Sequence, residues 1–323
     1  MRTISWLLVL AVLLSVVLGG CATAAPKYPE KAVNVIVPNP PGGVNDITAR
    51  ALAEAIKPYF SQPWNIVNRA GGGGSIGMTE LVQAKPDGYT ISVGASNATL
   101  IQPNMTNLVY KGPDDYIPVI KLTNTPIVFA VLADRPWQNL KDVLDYAKAN
   151  PGKFRVGSPG IGTPHHMDLE ILREKTGVNL VHVPFSGGGE SSTALLGGHI
   201  EGVNIPPSVI LGQVKAGKIR LIATFEEKRN PVYPDVPTFK ELGYDIAMGE
   251  FQLIVVPKGT PDGVVQALHD AVKKALEADS FKKYAAEGAY VIDYKGPADL
   301  KKQMENDFVF YGEIVQKLNL KQQ

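Results

Sequence analysis

The chain passes from a strand into a helix through a proline- and glycine-rich turn in the segment VNVIVPNPPGGVND, residues 33–46. The run from Val33 to Val37 is short and rich in β-branched residues, which predicts a strand. Residues 38–43 contain the turn-forming prolines and glycines, and a helix is predicted to begin near Asn45-Asp46. Apolar residues then recur at helical spacing as far as Tyr59, so the segment is one strand–loop–helix unit.

Similar units recur along the rest of the chain. Further strands are predicted at residues 64–67, 90–93, 127–131, 154–156, 180–183, 203–205, 219–223 and 251–256. Helices follow most of these strands, and two amphipathic helices are predicted at residues 261–277 and 297–318. Alternating strands and helices at this spacing imply parallel or mixed sheets covered by helices, so the predicted fold class is α/β.

The N-terminal residues are organised differently from the rest of the chain. Arg2 precedes an apolar run from Ile4 to Leu18, and two glycines then lead into Cys21, the only cysteine. This order predicts a lipoprotein signal peptide over residues 1–20, lipidation of Cys21 and a tether over residues 21–30. The alternatives are a retained transmembrane anchor, for which the run is shorter than the roughly 20 residues required, and a plain secreted form. We therefore expect an extracytoplasmic protein that a lipid anchors to the membrane.

The composition is that of an ordinary globular protein. Of the 323 residues, 45% are apolar and 20% are charged, and the formal net charge is +1. The length after residue 20 is enough for one large or two medium domains. No run of lysine or arginine stands out, which argues against nucleic acid as a partner.

Four glycine-rich loops carry the most informative chemistry of the sequence. They are Gly42-Gly43, Gly71–Gly74, Gly160–Thr163 and Gly187–Gly189, and each lies between a predicted strand and a predicted helix. The first N–H groups of a helix lack intrahelical partners, and the helix dipole places partial positive charge beside them. Glycine lets a ligand approach the backbone closely, so these loops favour an anion without needing a charged side chain. Two loops come from each half of the fold, as expected for a ligand held between two lobes.

Each loop also has a purely structural interpretation. A glycine-rich turn can serve only to connect a strand tightly to a helix, and Asp46, Ser75 and Thr163 can each be a helix N-cap. The run Gly72–Gly77 contains a dinucleotide fingerprint. However, it follows the second strand, and no acidic residue closes an obvious next strand, so nucleotide binding is disfavoured.

Patterns for catalysis and metal binding are weak. His165 and His166 are adjacent at a predicted helix start, so their side chains point roughly 100° apart and do not form a metal-binding pair. No Gly-x-Ser-x-Gly elbow and no carboxylate pair stands out. We predict no catalytic residue, no metal ligand and no cofactor. An extracytoplasmic enzyme that depends on His165 or His166 is kept as an alternative function.

Seven segments have an order and spacing that match a known family. They are residues 35–46, 67–77, 85–90, 160–166, 183–189, 234–244 and 256–261. These segments resemble the solute-binding proteins of tripartite tricarboxylate transporters, also called the Bug family of extracytoplasmic receptors. The resemblance implies a two-lobed periplasmic-binding-protein fold, type II-like, in which each lobe is a mixed sheet flanked by helices. Lobe 1 would contain residues 26–125 plus 248–323, and lobe 2 would contain residues 126–247.

The resemblance also implies a binding site between the lobes. The ligand would be a small organic acid, either a di- or tricarboxylate or an aromatic carboxylate. Asp46 would organise the start of its helix and would not touch the anion. The candidate ligand-binding residues are Asn39, Pro40, Gly42, Gly43, Asp46, Gly74, Ser75, Ser96, Thr163, Ser186 and Pro206.

The implied function is a monomeric receptor that delivers its ligand to membrane transporter subunits. A ligand-binding sensor is a second alternative. Several positions near the implied site depart from the family pattern: Asn39-Pro40 replaces an aromatic and a small residue, Ser75 replaces an asparagine, and Phe185-Ser186 replaces a Tyr-Lys pair. An acidic residue often found near Ile205 is absent. The sequence therefore leaves the identity of the ligand open.

Overall fold

The computed structural model describes residues 28–247 and 249–321. It confirms a two-lobed α/β fold in which each lobe is a mixed sheet flanked by helices. The predicted signal peptide, Cys21 and most of the predicted tether lie outside the described residues. Within the described ranges, no helix is both long enough and apolar enough to cross a membrane.

The secondary structure follows the alternation that the sequence predicts. The strands are β1 Val33–Val37, β2 Trp64–Asn68, β3 Thr90–Ala95, β4 Tyr116–Thr125, β5 Val128–Leu132, β6 Arg155–Ser158, β7 Val181–Pro184, β8 Gly202–Ile205, β9 Ile219–Thr224, β10 Glu250–Pro257 and β11 Val291–Lys295. The α-helices are α1 Val44–Ala55, α2 Ser75–Val82, α3 Gln102–Met105, α4 Leu140–Ala149, α5 Pro164–Thr176, α6 Gly188–Leu196, α7 Leu211–Lys215, α8 Asp262–Leu276, α9 Asp279–Glu287 and α10 Pro297–Lys317. Short 3₁₀ turns occupy Gly72–Gly74 and Pro207–Val209, and a π-helical turn occupies Asn97–Ile101.

The strands form two sheets of related design. The first sheet has the order β11-β4-β10-β3-β1-β2, and the second has the order β7-β6-β8-β5-β9. In the first sheet β1 is parallel to β2 and β3, whereas β10 runs antiparallel to β3 and β4. In the second sheet β6 is parallel to β7 and β8, whereas β5 runs antiparallel to β8 and β9. Each sheet thus contains a parallel trio, and the loops that follow these three strands emerge at one edge.

The chain crosses between the two sheets at adjacent points. β4 ends at Thr125 in the first sheet, and β5 begins at Val128 in the second. The chain returns to the first sheet at Glu250, where β10 begins. Thr125 and Glu250 are paired in the β4–β10 ladder, so the two crossings lie side by side.

Apolar packing fixes helices on both faces of each sheet. In lobe 1, α1 and α8 bury Leu52 and Leu268 in one cluster, and α10 buries Met304 in another. In lobe 2, α5 buries Leu172 in one cluster and α6 buries Leu195 in another. Burial of such side chains is the main stabilising term in folding. It holds the helix starts at the edge where the parallel strands end.

Strands β4 and β11 were not predicted from the sequence. β4 includes Pro118, Lys121 and Asn124 among its apolar residues, so it lacks a regular alternation. Its pairing with β10 is interrupted by register shifts, and β11 is a partly exposed edge strand. Both strands are defined by partners far away in the sequence, and this context outweighs local propensity.

Gly77 allows α2 to approach the loop that follows β1. A Cβ atom at this position would lie 2.9 Å from both Cα and Cβ of Pro38 and 3.0 Å from the carbonyl oxygen of Arg69. These distances are shorter than ordinary van der Waals contacts, and backbone atoms cannot rotate away. The absence of a side chain at Gly77 therefore sets how closely α2 packs against this loop.

We predict that Gly77→Ala lowers the free energy of unfolding by about 1–3 kcal/mol, because the added methyl group overpacks a fixed backbone contact. Gly263→Ala on α8 is the matched control, since a Cβ there would meet no atom within 4 Å. That control is expected to be neutral or stabilising, because alanine has the higher helix propensity. Urea unfolding followed by circular dichroism measures both variants. Equal stabilities would contradict the close packing at Gly77.

Candidate ligand-binding cleft

The loop after β1 is held by a side chain of the helix that follows it. Gly43 is the N-cap of α1, and Asp46 lies three residues further along. Asp46 Oδ2 accepts a hydrogen bond of 2.9 Å from the N–H of Gly42. The interpretation of Asp46 as an N-cap is therefore wrong, because this residue ties the loop to the first helical turn from inside the helix.

Asp46 is 3% exposed and accepts several further hydrogen bonds. Asn68 Nδ2 donates to Oδ1 over 2.9 Å, and Arg50 contacts both carboxylate oxygens at 2.9–3.1 Å. Burial by itself would raise the pKa of Asp46, but the hydrogen bonds from Arg50, Gly42 and Asn68 outweigh it and hold that pKa below its usual value. The carboxylate stays ionised, and its oxygens are occupied by donors of the protein.

Two loops of lobe 2 have the same arrangement with other acceptors. After β6, the N–H of Gly162 donates to Nδ1 of His166 over 3.2 Å. After β7, the N–H of Ser186 donates to Oε2 of Glu190 over 3.1 Å. In each case the donor directly precedes the helix N-cap, and the acceptor lies three residues after that cap. In all three loops a side chain of the following helix therefore fixes the loop by accepting a hydrogen bond from its backbone.

Thr163 is the N-cap of α5, as the structural interpretation predicts. Its Oγ1 accepts a hydrogen bond from the N–H of His166 over 3.3 Å and donates to the carbonyl oxygen of Gly160 over 2.8 Å. The side chain is half-buried. Its hydroxyl proton is used within the loop, so this side chain can only accept a further hydrogen bond, through its remaining lone pair. The nearby backbone amides are the donors that another molecule could meet here.

The loop after β2 consists of glycines with positive φ angles. The values from Gly71 to Gly74 are 124°, 55°, 61° and 96°, a run that other residues adopt only with strain. Gly74 is the N-cap of α2 and Ser75 is the first helical residue, so Ser75 is not the cap. A Cβ on Gly74 would lie 2.7 Å from Cβ of Ala98 and 3.3 Å from the carbonyl oxygen of Pro38. This loop therefore contacts the loops that follow β3 and β1.

The loops of lobe 2 are also in mutual contact. A Cβ on Gly160 would lie 3.3 Å from the carbonyl oxygen of Phe185, so the loops after β6 and β7 are in contact. A Cβ on Gly188 would lie 3.7 Å from Cδ of Pro206, so the loops after β7 and β8 are also in contact. Ser186 is exposed, whereas Pro206 is buried. The predicted residues of lobe 2 therefore belong to one group of neighbouring loops.

Two predicted residues of lobe 1 have side chains engaged within the fold. Ser96 is fully buried, and its Oγ accepts a hydrogen bond of 3.3 Å from the N–H of Phe251. Asn39 Oδ1 accepts a hydrogen bond of 2.6 Å from Asn45 Nδ2. Pro40, by contrast, is exposed. Ser96 thus joins the end of β3 to β10, and Asn39 braces the loop after β1.

The lobes contact each other through α3. A Cβ on Gly162 of lobe 2 would lie 2.3 Å from Sδ of Met105 and 3.7 Å from Nε2 of Gln102. Met167, on α5, belongs to the same buried cluster as Met105 and Tyr311 of lobe 1. Neither Gln102 nor Met105 could be predicted from the sequence, because α3 is only four residues long and carries no recognisable motif.

A cavity of about 490 Å³ lies beside the crossings between the sheets. Thr125 and Gly249 line it, and none of the predicted ligand-binding residues does. Its buried cation, Lys121, donates to Asp293 Oδ2 over 2.6 Å. Because this ion pair is internal, the ammonium group of Lys121 is not free to bind a carboxylate in the cavity.

Helix α5 carries two buried groups that have no hydrogen-bond partner in the described part of the chain. The first is the imidazole of His165, in which neither ring nitrogen has a partner, and the second is the carboxyl group of Asp168, in which neither oxygen has one. Burial lowers the pKa of His165 to about 3 and raises the pKa of Asp168 well above its usual value. Burial therefore favours the uncharged form of both side chains in the folded protein.

We predict that Asp168→Asn raises the melting temperature at pH 8. In the folded protein Asp168 holds a proton that it loses in the unfolded chain above about pH 4. The stability that comes from the protonated Asp168 is therefore fully present below that pH, and it is lost as pH rises through the raised pKa of the folded state. Asparagine has no such ionisation, so the advantage of the variant should shrink toward pH 4.

Thermal unfolding of both proteins at pH 4.5, 6 and 8 measures this effect. Asp299→Asn, at an exposed position in the first turn of α10, is the control and should follow the parent protein at each pH. A difference between Asp168→Asn and the parent that stays constant with pH would contradict a buried, protonated Asp168.

The sequence matches known proteins over most of its length. A family model described as "Tripartite tricarboxylate transporter family receptor" matches residues 48–320. The "UPF0065 protein in gbd 5'region" of Cupriavidus necator is 37% identical over 262 residues, which cover 81% of this chain and 80% of that protein. Protein BugT of Bordetella pertussis is 30% identical over 272 residues, which cover 82% of this chain and 83% of that protein.

Solved structures show the same likeness. A TctC solute binding protein from Polaromonas, with no ligand, has a TM-score of 0.76 and 33% identity over 90% of this chain and 99% of that one. MatC from Rhodopseudomonas palustris with bound malate has a TM-score of 0.79 and 26% identity, over 89% of this chain and 100% of that one. Another R. palustris protein, with adipate, has a TM-score of 0.80 and 25% identity, over 90% and 97% of the two chains. The chain belongs to the tripartite tricarboxylate transporter receptor family, as its motifs predict.

Proposed function

We propose that this receptor binds a small organic carboxylate in the cleft between its lobes and delivers it to a membrane transporter. The observation that carries the proposal is the clustering of strand-to-helix loops. In lobe 1 the loop after β2 contacts the loops after β1 and β3, and in lobe 2 the loop after β7 contacts the loops after β6 and β8. One small ligand can therefore meet several helix starts at once.

Backbone amides at these helix starts provide the attraction for an anion. The N-caps of α1, α2, α5 and α6 are Gly43, Gly74, Thr163 and Gly187. N–H groups of a first helical turn have no intrahelical acceptor, and the dipole adds partial positive charge. A carboxylate can accept several such hydrogen bonds without a cationic side chain. Arg50, the arginine on α1, is already paired with Asp46.

Similar proteins support a carboxylate as the ligand. The R. palustris structures contain malate and adipate, and both compounds carry two carboxylates at neutral pH. The proposed ligand-contacting residues are Asn39, Pro40, Gly42, Gly43, Gly74 and Ser75 of lobe 1 with Thr163, Ser186 and Pro206 of lobe 2. Asp46 and Ser96 would support the loops from behind, because their side chains are engaged by the protein.

The lobes would move as units about the paired crossings. We assign residues 26–125 plus 248–323 to lobe 1 and residues 126–247 to lobe 2. A ligand that bridges amides of both lobes stabilises the arrangement in which the lobes touch, because only that arrangement makes all its contacts.

The same proposal covers location and partners. We propose that the receptor is monomeric, works outside the cytoplasm and is anchored by a lipid on Cys21. It would carry out no chemical turnover, and its partners would be the membrane subunits of the transporter. Support comes from the N-terminal pattern and from the family of receptors to which the chain belongs.

We predict that malate or adipate raises the melting temperature, because a ligand that binds only the native state stabilises it by mass action. The gain is about 2.7 kcal/mol at a free concentration of 100 times Kd. Malamide and adipamide are the matched controls, since they keep the carbon skeleton and lack the charges. Thermal shift followed by calorimetric titration measures affinity and a one-to-one ratio. Stabilisation by the diamides alone would contradict an anion site.

We predict that Cys21→Ser abolishes incorporation of a radiolabelled fatty acid and moves the protein from the membrane fraction to the soluble fraction, because the acceptor thiol is lost. The parent protein expressed in the same bacterium is the reference. Since Cys21 is the only cysteine, labelling that persists in the variant would contradict the proposed lipid anchor.

A further inference from the structure

Gln102 lies at the junction of a π-helical turn and helix α3. The π turn covers Asn97–Ile101, and the N–H of Gln102 donates to the carbonyl oxygen of Asn97. π-helical turns are rare and are frequently found at functional sites. Gln102 itself is only 8% exposed. The turn thus places a long polar side chain in a buried position directly after the loop that follows β3.

The amide of Gln102 lies against glycine loops of both lobes. A Cβ on Gly73 of lobe 1 would lie 2.3 Å from Gln102 Nε2 and 3.1 Å from Oε1. A Cβ on Gly162 of lobe 2 would lie 3.7 Å from the same Nε2. This side-chain nitrogen therefore touches the loop before α2 and the loop before α5, where the proposed ligand would bind.

The amide of Gln102 is unpartnered, in contrast to a neighbouring amide. Asn97 Nδ2 donates to the carbonyl oxygen of Gly73 over 3.0 Å. Among the residues that the structure describes, no hydrogen bond joins the Gln102 side chain to another group. The hydrogen bonds of Gln102 involve only its backbone, whose carbonyl oxygen accepts from the N–H of Thr106. Because Nε2 of Gln102 has no acceptor among these residues, both of its protons can be donated to a molecule bound in the cleft.

We propose that Gln102 is a ligand-contacting and specificity-determining residue, whose Nε2 donates to a carboxylate of the acid held between the Gly71–Gly74 and Gly160–Thr163 loops. The inference rests on the proposed function and adds a side-chain donor to a site otherwise built from backbone amides. A carboxylate is an acceptor only, so it matches the NH₂ group of glutamine. A ligand with an amide in place of that carboxylate would offer Nε2 an uncharged oxygen, which is a weaker acceptor, and would bind more weakly.

Two substitutions separate this role from simple packing. Gln102→Met has a similar length and fills the same space but lacks the donor. Gln102→Glu keeps the shape and places a negative charge where the carboxylate would bind. Gln266→Met, at an exposed position on α8, is the control for the Gln-to-Met change.

Calorimetric titration with malate or adipate, whichever the parent protein binds more tightly, tests the inference. We expect Gln102→Met to bind about 10- to 100-fold more weakly, since a hydrogen bond to a charged group is lost. Gln102→Glu should bind more weakly still, and Gln266→Met should match the parent. Melting temperatures without ligand should stay near that of the parent for all three variants.

The ratio of affinities for the acid and its monoamide provides a readout that packing alone would not change. The parent should prefer the acid over malamic or adipamic acid, and Gln102→Glu should shift that ratio toward the monoamide, because its carboxylate accepts from the amide. Parent-like affinity in Gln102→Met, or an unchanged ratio in Gln102→Glu, would overturn the inference. Weaker binding that appears only with a lower melting temperature would also overturn it and assign Gln102 to packing. If the parent binds neither acid, the proposed function itself fails.

Discussion

The hydrogen bond from a loop N–H to a side chain in the first turn of the next helix is the interaction on which the cleft depends. It joins Gly42 to Asp46 in lobe 1 and Gly162 to His166 in lobe 2. Because the acceptor belongs to the helix, the loop and the helix start form one unit. The helix is in turn fixed by apolar packing on its sheet. The position of the cleft amides is therefore set by the hydrophobic cores of the two lobes.

The side chains that accept from Gly42 and Gly162 differ in charge. Asp46 is ionised, and Arg50 compensates its charge. His166 lies at the equivalent position of α5, and burial lowers its pKa, so it accepts the N–H of Gly162 as a neutral ring. His165, on the same helix, is also neutral because it is buried. At these two loops the acceptor therefore adds no uncompensated negative charge beside the amide dipoles, whereas the acceptor of the loop after β7 is the exposed carboxylate of Glu190.

The parts of the fold that depend on local sequence could be predicted, whereas the parts that depend on distant contacts could not. The strand–loop–helix units and the glycine loops follow from local periodicity and turn chemistry, and the seven matching segments gave the two-lobed architecture. β4 was missed because its strand state depends on pairing with β10, more than 120 residues away. Gln102 has no local motif, and its position between Gly73 and Gly162 is visible only when both lobes are assembled.

A crystal structure of the receptor with malate or adipate bound would show directly whether the acid bridges the two lobes. We expect its carboxylate oxygens to accept hydrogen bonds from first-turn N–H groups of α1 or α2 in lobe 1 and of α5 or α6 in lobe 2. A carboxylate that contacts only one lobe would contradict this account. So would an acid bound in the cavity beside Lys121 and Asp293, away from the glycine loops.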